Sequence, residues 1–483
     1  MTNRQRTLLW QKIDIHPDLL LVHSAQPDRY PFLLESTSYT VGHNIDRNRY
    51  DILFAFPEET LVLKYSRYST GNKHEIPKQD FLHQLDLRFA EEQDRALTSK
   101  TFFSEIPFRG GWFLYLGYES VAQIEPVLHH HFVENAQSHA TSIETQFPIA
   151  AAWRIPAAII RDKRKRETIL IAEIHRAPLL AEMEKDLSSI SHVSTTPPSP
   201  DSQTARLLRK PIYEDPPDEF LQRVAKIRRY IREGDVFQVN LSRGWHGLLH
   251  EGVTPAQIYA RMRRYNPAPF AGLAVWDDFA VISSSPERLV HVYDGMVETR
   301  PIAGTHPRSQ NPAADAGLSH ALMAHPKERA EHIMLIDLER NDLGRICRPG
   351  SIEVNELMVL ESYAHVHHIV SNIRGRLTPD ATPGEVLRAV FPGGTITGCP
   401  KVHCMEIIAE LEQTPRGPYT GAMGYLNRDG SADLNILIRT ICQQGDKVSL
   451  RAGSGIVADS APERELRETR HKARGPLRAL LGS

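Results

Sequence analysis

The stretch from Arg451 to Gly475, RAGSGIVADSAPERELRETRHKARG, restricts the chain more than any other. Gly453-Ser454-Gly455 predicts a turn whose backbone amides can approach an anion closely, because neither glycine carries a Cβ. Ile456-Val457 reads as a strand. Ser460 and Glu463 have the spacing of a capping box that opens a helix. On that helix Glu465, Glu468 and Lys472 stand at i, i+3 and i+7 and so share one face. Two carboxylates one turn apart repel each other unless a cation stands between them. Two readings stay open on these residues alone. One is a solvated face neutralised by Arg464, Arg467 and Arg470; the other is a Mg²⁺ site, since carboxylate oxygens suit that hard ion.

The rest of the chain narrows the partners. Across 483 residues the formal net charge is -2, so no basic field points to nucleic acid or to a membrane surface. The four cysteines, Cys347, Cys399, Cys404 and Cys442, form no CxxC pair and read as reduced thiols. No cleavable apolar segment opens the sequence and no run of about 18 apolar residues predicts a membrane span. The expectation is a cytoplasmic protein. Residues 1–190 form a first region of short strands such as Phe32-Leu33-Leu34, Ile52-Leu53-Phe54 and Leu61-Val62-Leu63. Three consecutive histidines, His129 to His131, cannot share one face and read as a loop. Residues 191–217, rich in Ser, Thr, Pro and Asp, read as a linker. From 218 to 483 strands and helices alternate, beginning with a helix capped by Asp218 and stopped by Gly234, which predicts an α/β or α+β body.

Several segments of that second part carry chemistry. Ser285-Pro286-Glu287-Arg288 ends an apolar strand on a carboxylate, a place for a general acid or simply a solvated turn. Pro326 to His332 opens a helix with Glu328 and Glu331 in its first turns, where the helix dipole favours acids whatever they bind. In the strand AHVHHIVS, His365 and His367 face one way and His368 the other. Thr395 lies in the glycine-rich loop FPGGTITGCPK ahead of a helix over residues 402–411, a generic anion site without the spacing of a Walker A loop. Arg439 follows a buried-looking strand and suits bidentate carboxylate binding.

These stretches, in this order, resemble the chorismate-utilising enzymes, most densely over residues 218–475 through SSSPERLV, ETRPIAGT, KERAEHIMLIDLERNDLGR, FPGGTITGCPK, ILIRT and AGSGIVADSAPERELRETRHK. YPFLLES and FRGGWFLYLGYE extend the resemblance into the first region. It implies an α+β fold of two large antiparallel sheets packed face to face with helices outside. It further implies Glu331 and Glu468 as Mg²⁺ ligands, with Glu328 and Glu465 supporting. Glu287 would be the acid that protonates a departing 4-hydroxyl, with His368 and Lys472 as active-site partners. Tyr419, Arg439, Gly453, Gly455 and Thr395 would hold the carboxylates of chorismate.

Within the family, relatives that add water to chorismate carry a lysine base where this chain has Gln238; ammonia needs no such activation, so Gln238 points to amination. Asn240, the run Asn266 to Phe270, His367-His368 and PGGTITG resemble component I of aminodeoxychorismate synthase. Ala303 in PIAGT instead resembles component I of anthranilate synthase, the alternative, and implies no covalent lysyl intermediate at that position. Leu34, Glu35 and Ser36 resemble a tryptophan-binding motif, so tryptophan is a candidate ligand; a non-catalytic tryptophan-binding subunit is the third reading. No glutaminase motif is present in the sequence, so the resemblance implies a separate glutamine amidotransferase subunit as the ammonia source.

Overall fold

The structure, a computed structural model, describes residues 8–38, 49–67, 74–75, 80–94, 105–191, 206–309, 311–362 and 366–482. His365 and residues 192–205 of the expected linker lie outside the described residues. Among the described residues two large sheets dominate the fold, one of 12 strands and one of 10. In the larger, Leu8–Ile13, Glu167–Glu173, Ala157–Asp162, Tyr50–Ala55 and Phe32–Glu35 lead in order to Phe270–Trp276 and onward into later strands. In the smaller, Ala422–Asn427 pairs antiparallel with Gly111–Leu116. Strands from before and after residue 190 therefore share both sheets, joined at Leu33↔Leu273 in one and Leu114↔Gly424 in the other.

The sheets pack face to face through an aromatic layer at these seams. Phe32 of one sheet stacks on Phe113 of the other with ring centroids 4.2 Å apart, and Phe54, Phe108, Tyr425, Met423 and Val281 complete the layer. Burying rings of this size removes large apolar areas from water, at about 25 cal/mol per Å², and holds the two sheets as one body. Gly111 shows how tight the seam is: at φ +148°, a Cβ there would lie 2.1 Å from the Leu426 carbonyl oxygen. Helices cover the outer faces. Phe220, Val224 and Ile227 of the Pro217–Glu233 helix pack with Ile407, Ile408 and Leu411 of Lys401–Glu412 over Val239, Leu241 and Ile456.

Several local expectations need correction. Gly453-Ser454-Gly455 is no turn; it lies inside the Lys447–Ile456 strand, paired Ser242↔Gly453 and Asn240↔Gly455. The Ser460–Glu463 capping box does not form, because Ser460 Oγ turns back to accept from the Val457 amide (3.1 Å) and the helix starts at Pro462 after Ala461. His129 to His131 open a helix, His129–Ser138, because Phe132 and Ala136 one turn apart give it a buried stripe. Asp218 lies in the first turn of Pro217–Glu233 instead of capping it, since Pro217 already occupies the opening position; Gly234 does close that helix at φ 90°.

Candidate active site

The Lys447–Ile456 strand passes through a short loop into the Pro462–Leu481 helix, and that return builds one wall of a cavity of about 920 Å³. Leu466, Thr469, Ala473 and Leu480 bury the opposite stripe of the helix. Its other side presents Glu465, Glu468 and Lys472 to the cavity. Lys472 ties helix to strand, donating from Nζ to the Gly453 carbonyl oxygen (3.0 Å) and pairing with Glu468 (2.8 Å). Facing them, the Pro326–Gly344 helix contributes Glu328, Glu331 and Leu335. Thus four carboxylates from two helices distant in sequence line a single cavity.

The remaining walls come from strand ends. Ile302, Ala303 and Gly304 lie on Ile302–Pro307, and His368 on its neighbour Val366–Arg376. His367 faces away, bonded to Asp315 (3.0 Å) and to the Ser362 hydroxyl (2.8 Å). Gln238, Asn240, Gly455 and Thr395 close the far side. Two polar atoms there, Gln238 Oε1 and Asn240 Oδ1, are buried without a hydrogen-bond partner among the described residues. Native proteins seldom leave such atoms unsatisfied, so a polar ligand or water belongs beside them. Gly453 and Tyr419 sit behind the wall. A Cβ on Gly453 would lie 2.6 Å from Asn240 Oδ1 and 2.7 Å from the Tyr419 hydroxyl, so glycine there provides clearance within a strand where an anion-binding turn was expected.

Arg439 is the cation of this site. It interrupts two strands at φ 51°, a left-handed conformation that a non-glycine residue adopts at a cost of roughly 1–3 kcal/mol. Burial pulls its pKa below the ordinary value, with Tyr419, Glu287 and Glu468 opposing. No ion pair among the described residues engages its guanidinium, which lines the cavity. A desolvated arginine without a carboxylate partner is poised for an anionic ligand.

Glu287 is buried just behind Pro286, at 6 % exposure. Burial pushes its carboxyl up to about 7, opposed by the Thr395 hydroxyl, the Ile302 amide, Arg439 and Lys472. It therefore holds a proton near neutral pH, as a general acid must. His368 goes the other way, down to about 4 through burial and the nearby Arg439, and stays neutral. Burial also acts against ionisation of Glu468, but Lys472 and Arg439 outweigh it and keep that carboxyl below its usual range.

Hard oxygen donors from Glu331 and Glu468 have the chemistry of a Mg²⁺ site. The described residues contain no group of three or more His, Cys, Asp or Glu side chains drawn together as a complete ion site. This is compatible with Mg²⁺, which commonly takes one or two carboxylates and leaves its other positions to water and substrate.

One cluster escaped the sequence reading. Glu339 and Asp342 are buried near the end of the Pro326–Gly344 helix, where Lys401 pairs with Asp342 (2.5 Å). Burial and Asp342 push Glu339 up to about 7, against Lys401 and Thr299, and Glu287 is among its charged neighbours. Only the fold brings 342 and 401 together, so no spacing rule could have found it. Leu34, Glu35 and Ser36 line a separate cavity of about 390 Å³ between the sheets, with Pro269, Phe270 and Tyr425. Glu35 is held there by Arg263 (2.5 Å) and by the Tyr259 hydroxyl (3.0 Å).

Residues 47–478 match the chorismate binding enzyme family. The chain is 38% identical over 386 residues to the anthranilate synthase component I-like protein of Synechocystis, covering 80% of this chain and 75% of that one. It is 48% identical over 278 residues to aminodeoxychorismate synthase component 1 of Bacillus subtilis, a stretch covering 58% of each. Among solved structures, anthranilate synthase component I from Streptococcus pneumoniae superposes with a TM-score of 0.70 at 29% identity, covering 91% of this chain and 94% of that one. The menaquinone-specific isochorismate synthase of Escherichia coli shares the fold at 18% identity, with a TM-score of 0.69, covering 99% of this chain and 96% of that one.

Proposed function

The chain belongs to the chorismate-binding enzyme family, and from that premise we propose that it aminates chorismate at C4, giving 4-amino-4-deoxychorismate with ammonia from a separate glutamine amidotransferase subunit in the cytoplasm. The observation that carries this reading is the single cavity joining the four carboxylates, Arg439 and the unpartnered oxygens of Gln238 and Asn240, with a proton-holding Glu287 buried next to Pro286 of its wall.

In that site Arg439 binds a substrate carboxylate through its planar fork. Glu287 gives its proton to the 4-hydroxyl as the C4–O bond breaks, so that water leaves. Ammonia forms the C4–N bond and sheds a proton, which returns the Glu287 carboxylate to its acid form; Gln238, which has an acceptor and no basic group, can orient the ammonia without having to deprotonate it first. Neutral His368 hydrogen-bonds without adding a second cation beside Arg439. Glu331 and Glu468 would hold Mg²⁺, flanked by Glu328 and Glu465, and the ion would supply positive charge for a ring carboxylate of the substrate.

Gln238 supports amination over addition of water, and Asn240, the run Asn266 to Phe270, His367-His368 and PGGTITG, together with the match to the Bacillus subtilis protein, support C4. Ala303, at the cavity wall, favours the second reading, amination at C2 with loss of pyruvate to give anthranilate. One assay separates them: the purified chain with chorismate, ammonium and Mg²⁺, repeated with a chelator. The expected product becomes p-aminobenzoate only after an aminodeoxychorismate lyase is added, and the chelator stops its formation. Anthranilate fluorescence without the lyase overturns the C4 assignment.

A further inference from the structure

The cavity wall carries six cations against four carboxylates, although the whole chain has a formal net charge of -2. Four of the cations, Arg464, Arg467, Arg470 and Arg474, recur every three or four residues along the Pro462–Leu481 helix and stand exposed at the cavity. Exposed helical arginines commonly spend their charge on acids one turn away. Here the helix's own acids give these arginines no salt bridge among the described residues, although Arg464 is near enough to Glu468 to help keep it ionised and Glu463 stands four residues before Arg467. Glu465 accepts from the buried Ser454 hydroxyl, and Glu468 pairs with Lys472. Arg470 reaches Glu214 (2.8 Å), but Arg464, Arg467 and Arg474 make no ion pair among the described residues.

This arrangement answers an electrostatic need. A doubly negative substrate that approached four carboxylates would be repelled before it reached Arg439. A row of exposed cations without salt bridges reverses the sign of the field along the approach, and fields of this kind raise encounter rates by roughly 10 to 10³.

We propose that Arg464, Arg467 and Arg474 form an electrostatic funnel that gathers a dicarboxylate substrate into the cavity, acting through charge and distance without contact at the reacting carbon. The proposal rests on the chorismate reading. Its test compares the unsubstituted chain with the triple variants Arg464→Gln/Arg467→Gln/Arg474→Gln and Arg464→Lys/Arg467→Lys/Arg474→Lys, at fixed ammonium and Mg²⁺ and rising KCl. The glutamine variant should lose about tenfold in kcat/KM at low salt with kcat within about twofold. That gap should close near 1 M salt, where the screening length is about 3 Å. The lysine variant should keep the original values, and thermal midpoints should agree across all three proteins. A glutamine variant with the original salt dependence, or a lysine variant as impaired as the glutamine one, overturns the funnel alone. An unsubstituted chain that consumes no chorismate at any salt overturns both the funnel and the reaction it serves.

Discussion

Glu287→Gln tests the acid assignment most directly. An ordinary glutamate near 4.5 is ionised at neutral pH, but burial pushes this one up to about 7. Raising a carboxyl that far makes its ionisation in the folded chain harder by about 3 kcal/mol, at roughly 1.4 kcal/mol per tenfold change. The sign follows from which state holds the proton. The folded chain keeps it to higher pH than the unfolded chain, so this carboxyl's contribution to stability is complete below 4.5, declines as the pH rises and is lost above about 7. Catalysis follows the same proton: the turnover number should fall about tenfold per pH unit above about 7. The measurement is initial rate against pH at constant free ammonia, because ammonium itself titrates in the upper range. An amide cannot donate the proton, so kcat should drop by roughly 10² to 10⁴ while KM for chorismate stays nearly constant. The alkaline limb should disappear. In Thr395→Val the limb should move to higher pH, because the hydroxyl that steadies the ionised form is gone. An amide variant that keeps both the rate and the limb would refute the assignment.

Arg439→Lys keeps the charge but loses the fork, and KM for chorismate should rise about 10- to 100-fold in steady-state kinetics, the range of a charge-assisted hydrogen bond of roughly 1.5–3 kcal/mol; an unchanged KM removes Arg439 from substrate binding. Gly453→Ala places a Cβ 2.9 Å from the Leu241 carbonyl oxygen, which is backbone and cannot turn aside. Overpacking of this kind costs about 1–3 kcal/mol, so the thermal midpoint should fall and chorismate binding should weaken with it. Arg263→Met strands the Glu35 carboxylate in the wall of the second cavity. A broken buried pair costs about 3–5 kcal/mol, and a denaturant midpoint equal to that of the unsubstituted chain would show the pair to be dispensable.

The acidic face of the last helix was legible because side-chain spacing on a helix is fixed by its pitch: Glu465, Glu468 and Lys472 do reach one cavity. Glu331 was legible only through resemblance, since acids in the first turns of a helix need bind nothing. The errors also have physical causes. Glycine is a poor strand former, so Gly453 and Gly455 read as a turn. What places them in a strand is the narrow space beneath Asn240 Oδ1, the Tyr419 hydroxyl and Gln238 Nε2, which local sequence does not encode. Ser460 and Glu463 satisfy the capping pattern, yet the serine oxygen is claimed by the Val457 amide. Pairing of Phe32–Glu35 with Phe270–Trp276 spans more than two hundred residues, and no local periodicity marks it.

Lys472 shows why the legible and the illegible parts depend on each other. Its Nζ joins the Glu468 carboxylate to the carbonyl oxygen of Gly453, so a helix face readable from sequence is positioned by a strand that was misread. Had Gly453 been in a turn, the backbone around it would not be fixed by the register that sets it opposite Ser242, and Lys472 would anchor Glu468 to a movable point. The strand gives the acid a fixed address relative to Arg439, which lies in the connection leading into the adjacent strand Thr440–Gln444. A side chain that binds or orients substrate needs such support from rigid elements to hold its geometry. The spacing of Glu465, Glu468 and Lys472 fixes which groups face the cavity; the ladder beneath them fixes where those groups stand.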